Sequence, residues 1–76
     1  MTKYLVKTVL FTLTGATFTT YYGRSDERIK WDGLTAKNVK RIGYCTEASA
    51  RKSYRFNEAK NGANYVLKAY IVPFDV

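Results

Sequence analysis

"TEASARKSYRFNEAKNG", residues Thr46–Gly62, is the stretch on which the fold turns. Thr46 has the chemistry of a helix N-cap, and Glu47 puts a carboxylate in the first turn, where it favours the helix dipole. At 100° per residue, Ala50, Ser53, Tyr54 and Asn57 share one face. Arg51, Lys52 and Arg55 point the other way, with Ala48 and Ala59. Gly62 after Asn61 is a natural stop, so the pattern predicts one helix over about Glu47–Lys60. A rival reading uses the same residues. Tyr54 and Phe56 alternate as in a strand, and Asn61-Gly62 is a strong hairpin turn, which would set Phe56 opposite Leu67 and Tyr54 opposite Ala69. The long helix is preferred because Glu-Ala-Ser-Ala-Arg-Lys contains good helix formers and no β-branched residue. Phe56 is the residue that this choice explains least.

Upstream, "KYLVKTVLFTLTGATFTTYYG" (Lys3–Gly23) reads as a β-hairpin dense in β-branched residues. Leu5, Val9, Phe11 and Leu13 share one parity, with Lys7 as the misfit. A two-residue turn at Gly15-Ala16 predicts Leu13 opposite Phe18, Phe11 opposite Thr20 and Val9 opposite Tyr22. "GRSDERIKWDGLTAKN" (Gly23–Asn38) is polar and turn-rich, with Ile29 and Trp31 as a short strand. Val39–Tyr44 is read as a strand, a helix begun at Thr35 being the alternative. Downstream, "NYVLKAYIVPFDV" (Asn64–Val76) is the clearest strand. Tyr65, Leu67, Ala69 and Ile71 line one face; Val66, Lys68, Tyr70 and Val72 line the other. Pro73 sits near its end, where an edge tolerates it. The expected fold is α+β: an antiparallel sheet of three to four strands with one main helix packed on a face, forming a single domain over residues 1–76.

The chain has 76 residues, 46% of them apolar and 16% aromatic, so it has the means to fold but a small core. Thirteen Lys and Arg residues against six acidic ones give a net charge of +7. Such a surplus either keeps a small domain soluble or attracts an acidic partner. Between Lys37 and Lys60 the bases Lys37, Lys40, Arg41, Arg51, Lys52, Arg55 and Lys60 outnumber the acids Glu47 and Glu58 by seven to two. These seven are the candidate contacts to nucleic acid or to an acidic partner, and Tyr44, Tyr54 and Phe56 are the candidate stacking residues. The competing reading is a solvated outer face. With Arg51, Lys52 and Arg55 all in solvent, their reversal to glutamate is expected to spare the fold.

Enzymatic chemistry has little to work with. No histidine is present, and Cys45 is the only cysteine, which excludes an internal disulfide and a multi-thiolate metal site. Cys45 is read as a small buried hydrophobe rather than a thiolate activated by the following helix. Asp26, Glu27 and Asp32 share a loop without EF-hand spacing and are read as solvated turn residues, so no metal and no cofactor is expected. Lys3, Lys7 and the run Val9–Leu13 have the outline of a secretory leader. The run is short, is broken by threonine and alternates as a strand does, so a cytoplasmic protein is expected. No segment approaches the ~18 apolar residues of a membrane span, and no membrane partner is expected.

At Gly43-Tyr44-x-Thr46-x-x-x-Ala50, followed by a basic helix and a closing strand, the chain resembles small accessory proteins encoded by phages and prophages. The resemblance implies an early or accessory viral role in the host cytoplasm, such as inhibition of a host enzyme or of a defence complex, CRISPR effectors included. The implied partner is a host protein or nucleoprotein. The basic charge excludes mimicry of DNA. Direct binding of DNA or RNA by the basic helix face is the alternative, and an assembly role through an exposed strand edge leaves a homodimer open.

Overall fold

The computed structural model describes residues Met1–Val76. Its centre is a pair of eleven-residue strands, β1 (Thr2–Thr12) and β5 (Tyr65–Asp75), antiparallel from Thr2 opposite Asp75 to Thr12 opposite Tyr65. β2 (Thr17–Tyr22) pairs with the free side of β1. Two-residue strands close the sheet edges: β3 (Arg28–Ile29) beside β2 and β4 (Lys60–Asn61) beside β5. The order is β3-β2-β1-β5-β4, with every pairing antiparallel. Three short helices, α1 (Ala36–Ile42), α2 (Glu47–Arg51) and α3 (Tyr54–Asn57), complete the α+β fold. There are thus five strands rather than three or four, and three helices rather than one.

The hairpin register differs from the sequence expectation. The Gly15 N–H donates to the Thr12 carbonyl at 3.0 Å, and the Thr12 N–H donates to the Ala16 carbonyl at 3.0 Å. The loop therefore has three residues, Leu13–Gly15, and Gly15 occupies its left-handed position at φ 87°. This is a type I turn followed by a bulge, in which glycine comes last rather than first. Phe11 consequently pairs with Thr17, Leu10 with Phe18 and Val6 with Tyr22. The offset is odd, so every β2 side chain lies on the opposite face from the one expected.

Val39–Tyr44 is not a strand. The Thr35 hydroxyl accepts from the Asn38 N–H at 3.2 Å and starts α1. Val39 and Ile42, three residues apart, then share one helical face and are both buried. Only Tyr44 keeps a strand-like role, exchanging two backbone hydrogen bonds with Tyr4. The close seat of α1 depends on Gly23, where a side-chain carbon would overlap the Ile42 carbonyl oxygen.

The stretch from Thr46 to Gly62 satisfies neither of its two readings in full. Thr46 caps α2 by accepting from the Ser49 N–H at 3.1 Å. At Ser53 the backbone returns to an extended conformation, and its hydroxyl caps α3 by accepting from the Phe56 N–H at 3.1 Å. The Asn57 amide ties the two helices, donating to the carbonyls of Arg51 at 3.0 Å and Ser53 at 2.9 Å. A second cap inside the predicted helix competes with its continuation. The chain then enters β4 and reverses through Ala63-Asn64, with the Gly62 N–H on the Tyr65 carbonyl at 2.8 Å. Asn61 is therefore paired with Val66 in the ladder rather than in the turn.

Leu5 and Val6 are adjacent in a strand and point to opposite faces, yet neither is exposed to solvent. Both faces are covered at this end of the sheet. On the Leu5 face, α1 brings Val39 and Ile42, with Tyr21, Ile29, Leu34 and Phe74 packed around them. On the Val6 face, α2 and α3 cross β1 and β5, burying Ala50 and placing Arg55 over the Tyr22 ring. The molecule measures 39 × 25 × 17 Å, and the helices do not extend along its length: Phe11, Leu13 and Phe18, at the hairpin end, remain exposed. The outer edge of β5 from Lys68 onward has no strand beside it, and Lys68 and Pro73 blunt it against pairing with another chain. No helix is long and apolar enough to cross a membrane.

Candidate interface for an anionic partner

The seven bases between Lys37 and Lys60 are not gathered into one stripe. Lys37, Lys40 and Arg41 belong to α1 on the Leu5 face; Arg51, Lys52 and Arg55 belong to the α2–α3 unit on the Val6 face; Lys60 lies in β4. All three arginines among them are already engaged. Arg41 Nη1 donates to both Glu27 oxygens, at 2.9 and 2.8 Å. Arg51 meets Glu47 at 3.1 Å, one helical turn away, and lies 5.8 Å above the Phe56 ring.

Arg55 is the most constrained. Its Nε and Nη2 grip the two Asp26 oxygens at 2.7 and 2.9 Å, and Nη1 reaches Glu58 at 3.1 Å. The guanidinium stacks 4.4 Å from the centre of the Tyr22 ring, and its side chain is only 28% exposed. The Asp26 hydrogen bond raises its already high pKa further, against a smaller opposing effect of burial. Arg55 therefore works as a rivet between α3 and the Arg24–Asp26 turn. Of the candidate stacking residues, Tyr54 is 71% exposed, Phe56 is half-buried beneath Arg51, and Tyr44 is half-buried where it bridges Tyr4.

The internal ion pairs consume nearly all the negative charge. Asp26, Glu27, Glu47 and Glu58 pair with arginines and Asp75 with the N-terminal ammonium, leaving Asp32 as the one acidic side chain without an ion pair. On the other side, only Arg41, Arg51 and Arg55 of the 13 Lys and Arg residues have a carboxylate partner. The remaining cations have no counter-charge within the fold. Cys45, expected to be buried, is exposed, and its sulfur accepts a 3.2 Å hydrogen bond from the Lys3 ammonium. It precedes the cap of α2 and has no apolar pocket to enter.

The region that sequence reasoning missed is the part of the Leu5 face beyond α1. Its rungs run Tyr21–Lys7–Tyr70, Thr19–Val9–Lys68 and Thr17–Phe11–Val66 across β2, β1 and β5. Phe11 is 40% and Tyr70 46% exposed; Lys68, Thr17 and Thr19 are exposed as well. The Lys68 ammonium lies 5.9 Å from the centre of the Phe11 ring. None of these nine positions is acidic. At the hairpin end the face runs into a shallow hollow bordered by Phe11, Leu13, Tyr65 and Val66. The sequence holds one signal for this region: Lys7 and Lys68 occupy parities that otherwise read as apolar.

No protein-family model, no curated protein and no solved structure matches the chain.

Proposed function

We propose that this is a non-enzymatic binding protein that docks stoichiometrically on an anionic partner, a nucleic acid or a complex containing one. The observation that carries this reading is the one-sided use of charge. Five of the six acidic side chains are spent inside the fold, on Arg41, Arg51, Arg55 and the N-terminus, while the lysines are left without ion-pair partners. The surplus of +7 is therefore presented outward rather than cancelled locally. The resemblance to phage and prophage accessory proteins gives this chemistry a setting: inhibition, in the host cytoplasm, of a nucleic-acid enzyme or a defence nucleoprotein of the CRISPR type.

The test is direct titration of the pure protein against labelled single-stranded DNA, duplex DNA and heparin. Association is expected at about 50 mM salt, with an affinity that falls linearly on a log–log plot as salt rises. Failure to bind any of the three at that salt would overturn the reading. For the inhibitory form, activity of a sensitive purified nucleic-acid enzyme should fall to a floor at a fixed molar ratio of inhibitor.

A further inference from the structure

We infer that the open sheet face built from Lys7, Phe11, Lys68 and Tyr70 binds unpaired nucleic acid, stacking bases on the two rings and pairing phosphates with the two ammonium groups. This deepens the anionic-partner reading and rests on it.

In the strand register, Lys7 stands directly across from Tyr70, and Lys68 is the diagonal cross-strand neighbour of Phe11. Each exposed ring therefore has one lysine as its cross-strand neighbour, and the Lys68 ammonium lies 5.9 Å from the Phe11 ring centre. A ring beside a cation matches the base beside its phosphate that each nucleotide of an unpaired strand presents. Phe11 lies four positions beyond Lys7 along β1, so the rungs that carry the Phe11 and Tyr70 rings are about 14 Å apart, with Lys68 on the Val9 rung between them. Val9 is buried between them, while Thr17 and Thr19 supply hydroxyl groups along one margin.

The character of the face narrows the occupant. Its apolar groups are interrupted by lysine and threonine rather than forming one greasy patch of the kind that seats a partner helix. It bears no acid to repel phosphate. The rings are broad, flat and held by a paired strand, which suits stacking. A duplex keeps its base faces inside its own stack, so it can use the lysines but not the rings. The preference should therefore be for the single strand. Selectivity among bases should be weak, because every base has a π-face and no buried donor or acceptor is aimed at a base edge.

The test is fluorescence anisotropy with a labelled pyrimidine oligonucleotide of about 12 nucleotides, single-stranded and as duplex, a length within the span that one such platform covers. The single strand should bind more tightly. Phe11→Leu and Tyr70→Leu keep an apolar side chain on the strand and remove the ring. Each should weaken single-strand binding by about 5- to 150-fold. Lys7→Ala with Lys68→Ala should reduce the log–log salt slope by about 1.4. Phe18→Leu, at a still more exposed ring on the opposite face, should leave affinity unchanged; circular dichroism melting separates loss of contact from loss of fold. Equal binding of duplex and single strand, or wild-type affinity in both ring variants, would overturn the sheet-face assignment and leave the anionic-partner reading standing. Absence of binding to single strand, duplex and heparin alike would end both.

Discussion

Two cation–aromatic pairs, one on each face of the same sheet, do different work. Arg55 over Tyr22 is flanked by Asp26 and Glu58, and each of its three guanidinium nitrogens donates to one of these carboxylates. Lys68 over Phe11 has no carboxylate near it, and its rung opens to solvent. The first pair closes a structure, and the second is free to receive a ligand. A basic residue beside an aromatic ring is thus no sign of a site by itself. What separates the two cases is the location of the acids, which the α2–α3 face has and the open face lacks. The same contrast runs along β1: at Leu5 and Val6 the sheet is a two-sided core, and by Phe11 it is a one-layer surface.

The largest expected effect tests the two-sided end. Leu5→Ala removes a side chain with no exposure from the α1 cluster and should cost about 2–5 kcal/mol in urea unfolding, whereas Leu13→Ala at the bare hairpin tip should stay within about 0.5 kcal/mol. Next comes Arg55→Glu, which sets a third carboxylate against Asp26 and Glu58. It should destabilise by about 2 kcal/mol, a figure below that of a fully buried pair because both acids are partly exposed. A thermal shift no larger than that of an exposed surface change would show that Arg55 is not a rivet. On the alkaline side, because its folded pKa is raised, Arg55 keeps its proton and its stabilisation through the ordinary arginine range and loses them only as pH rises above it. The ion pair thus adds no alkaline melting step in the range where the protein can be studied.

Gly15→Ala follows, at about 1 kcal/mol, since an L side chain at φ 87° is strained although the space around it is empty. Were the glycine in an ordinary conformation, as a different hairpin register would require, the substitution would be neutral or stabilising. The smallest effect belongs to Lys52→Glu, within about 0.5 kcal/mol, because Lys52 is exposed and makes no ion pair. The full series of reversals at Arg51, Lys52 and Arg55 is therefore expected to affect the fold unevenly, and a stability ranking of the three single variants checks the contrast.

Part of the fold is legible in the amino-acid order alone. The long strand Tyr65–Asp75 announces itself by alternation, and its two faces are those the alternation assigns. The caps at Thr46 and Thr35 are visible as side-chain chemistry, although the apolar content of Val39–Tyr44 argues for a strand against the helix that Thr35 starts. What the pattern conceals is competition. Ser53 is an ordinary polar residue on a helical wheel and a cap in the fold, and nothing local says which. Gly15 permits two hairpins of opposite parity, and both present β-branched residues to each face. Closeness in sequence groups the basic candidates together, whereas the partners that tie them down lie elsewhere: Asp26 is 29 residues from Arg55, and Glu27 is 14 from Arg41. Lys7 and Tyr70 meet only through a pairing between the two ends of the chain.

Composition and local pattern by themselves determined the α+β class, the presence but not the register of the first hairpin, the closing strand and an excess of positive charge. Those properties arise from side-chain shape, backbone preference and net ionisation, all of which act over a few residues or over the whole. Tertiary structure decided which cations stay available and which face stays bare. Both depend on long-range partners, since a carboxylate can neutralise a guanidinium, or a helix cover a strand, only where the folded chain brings them within a few ångströms.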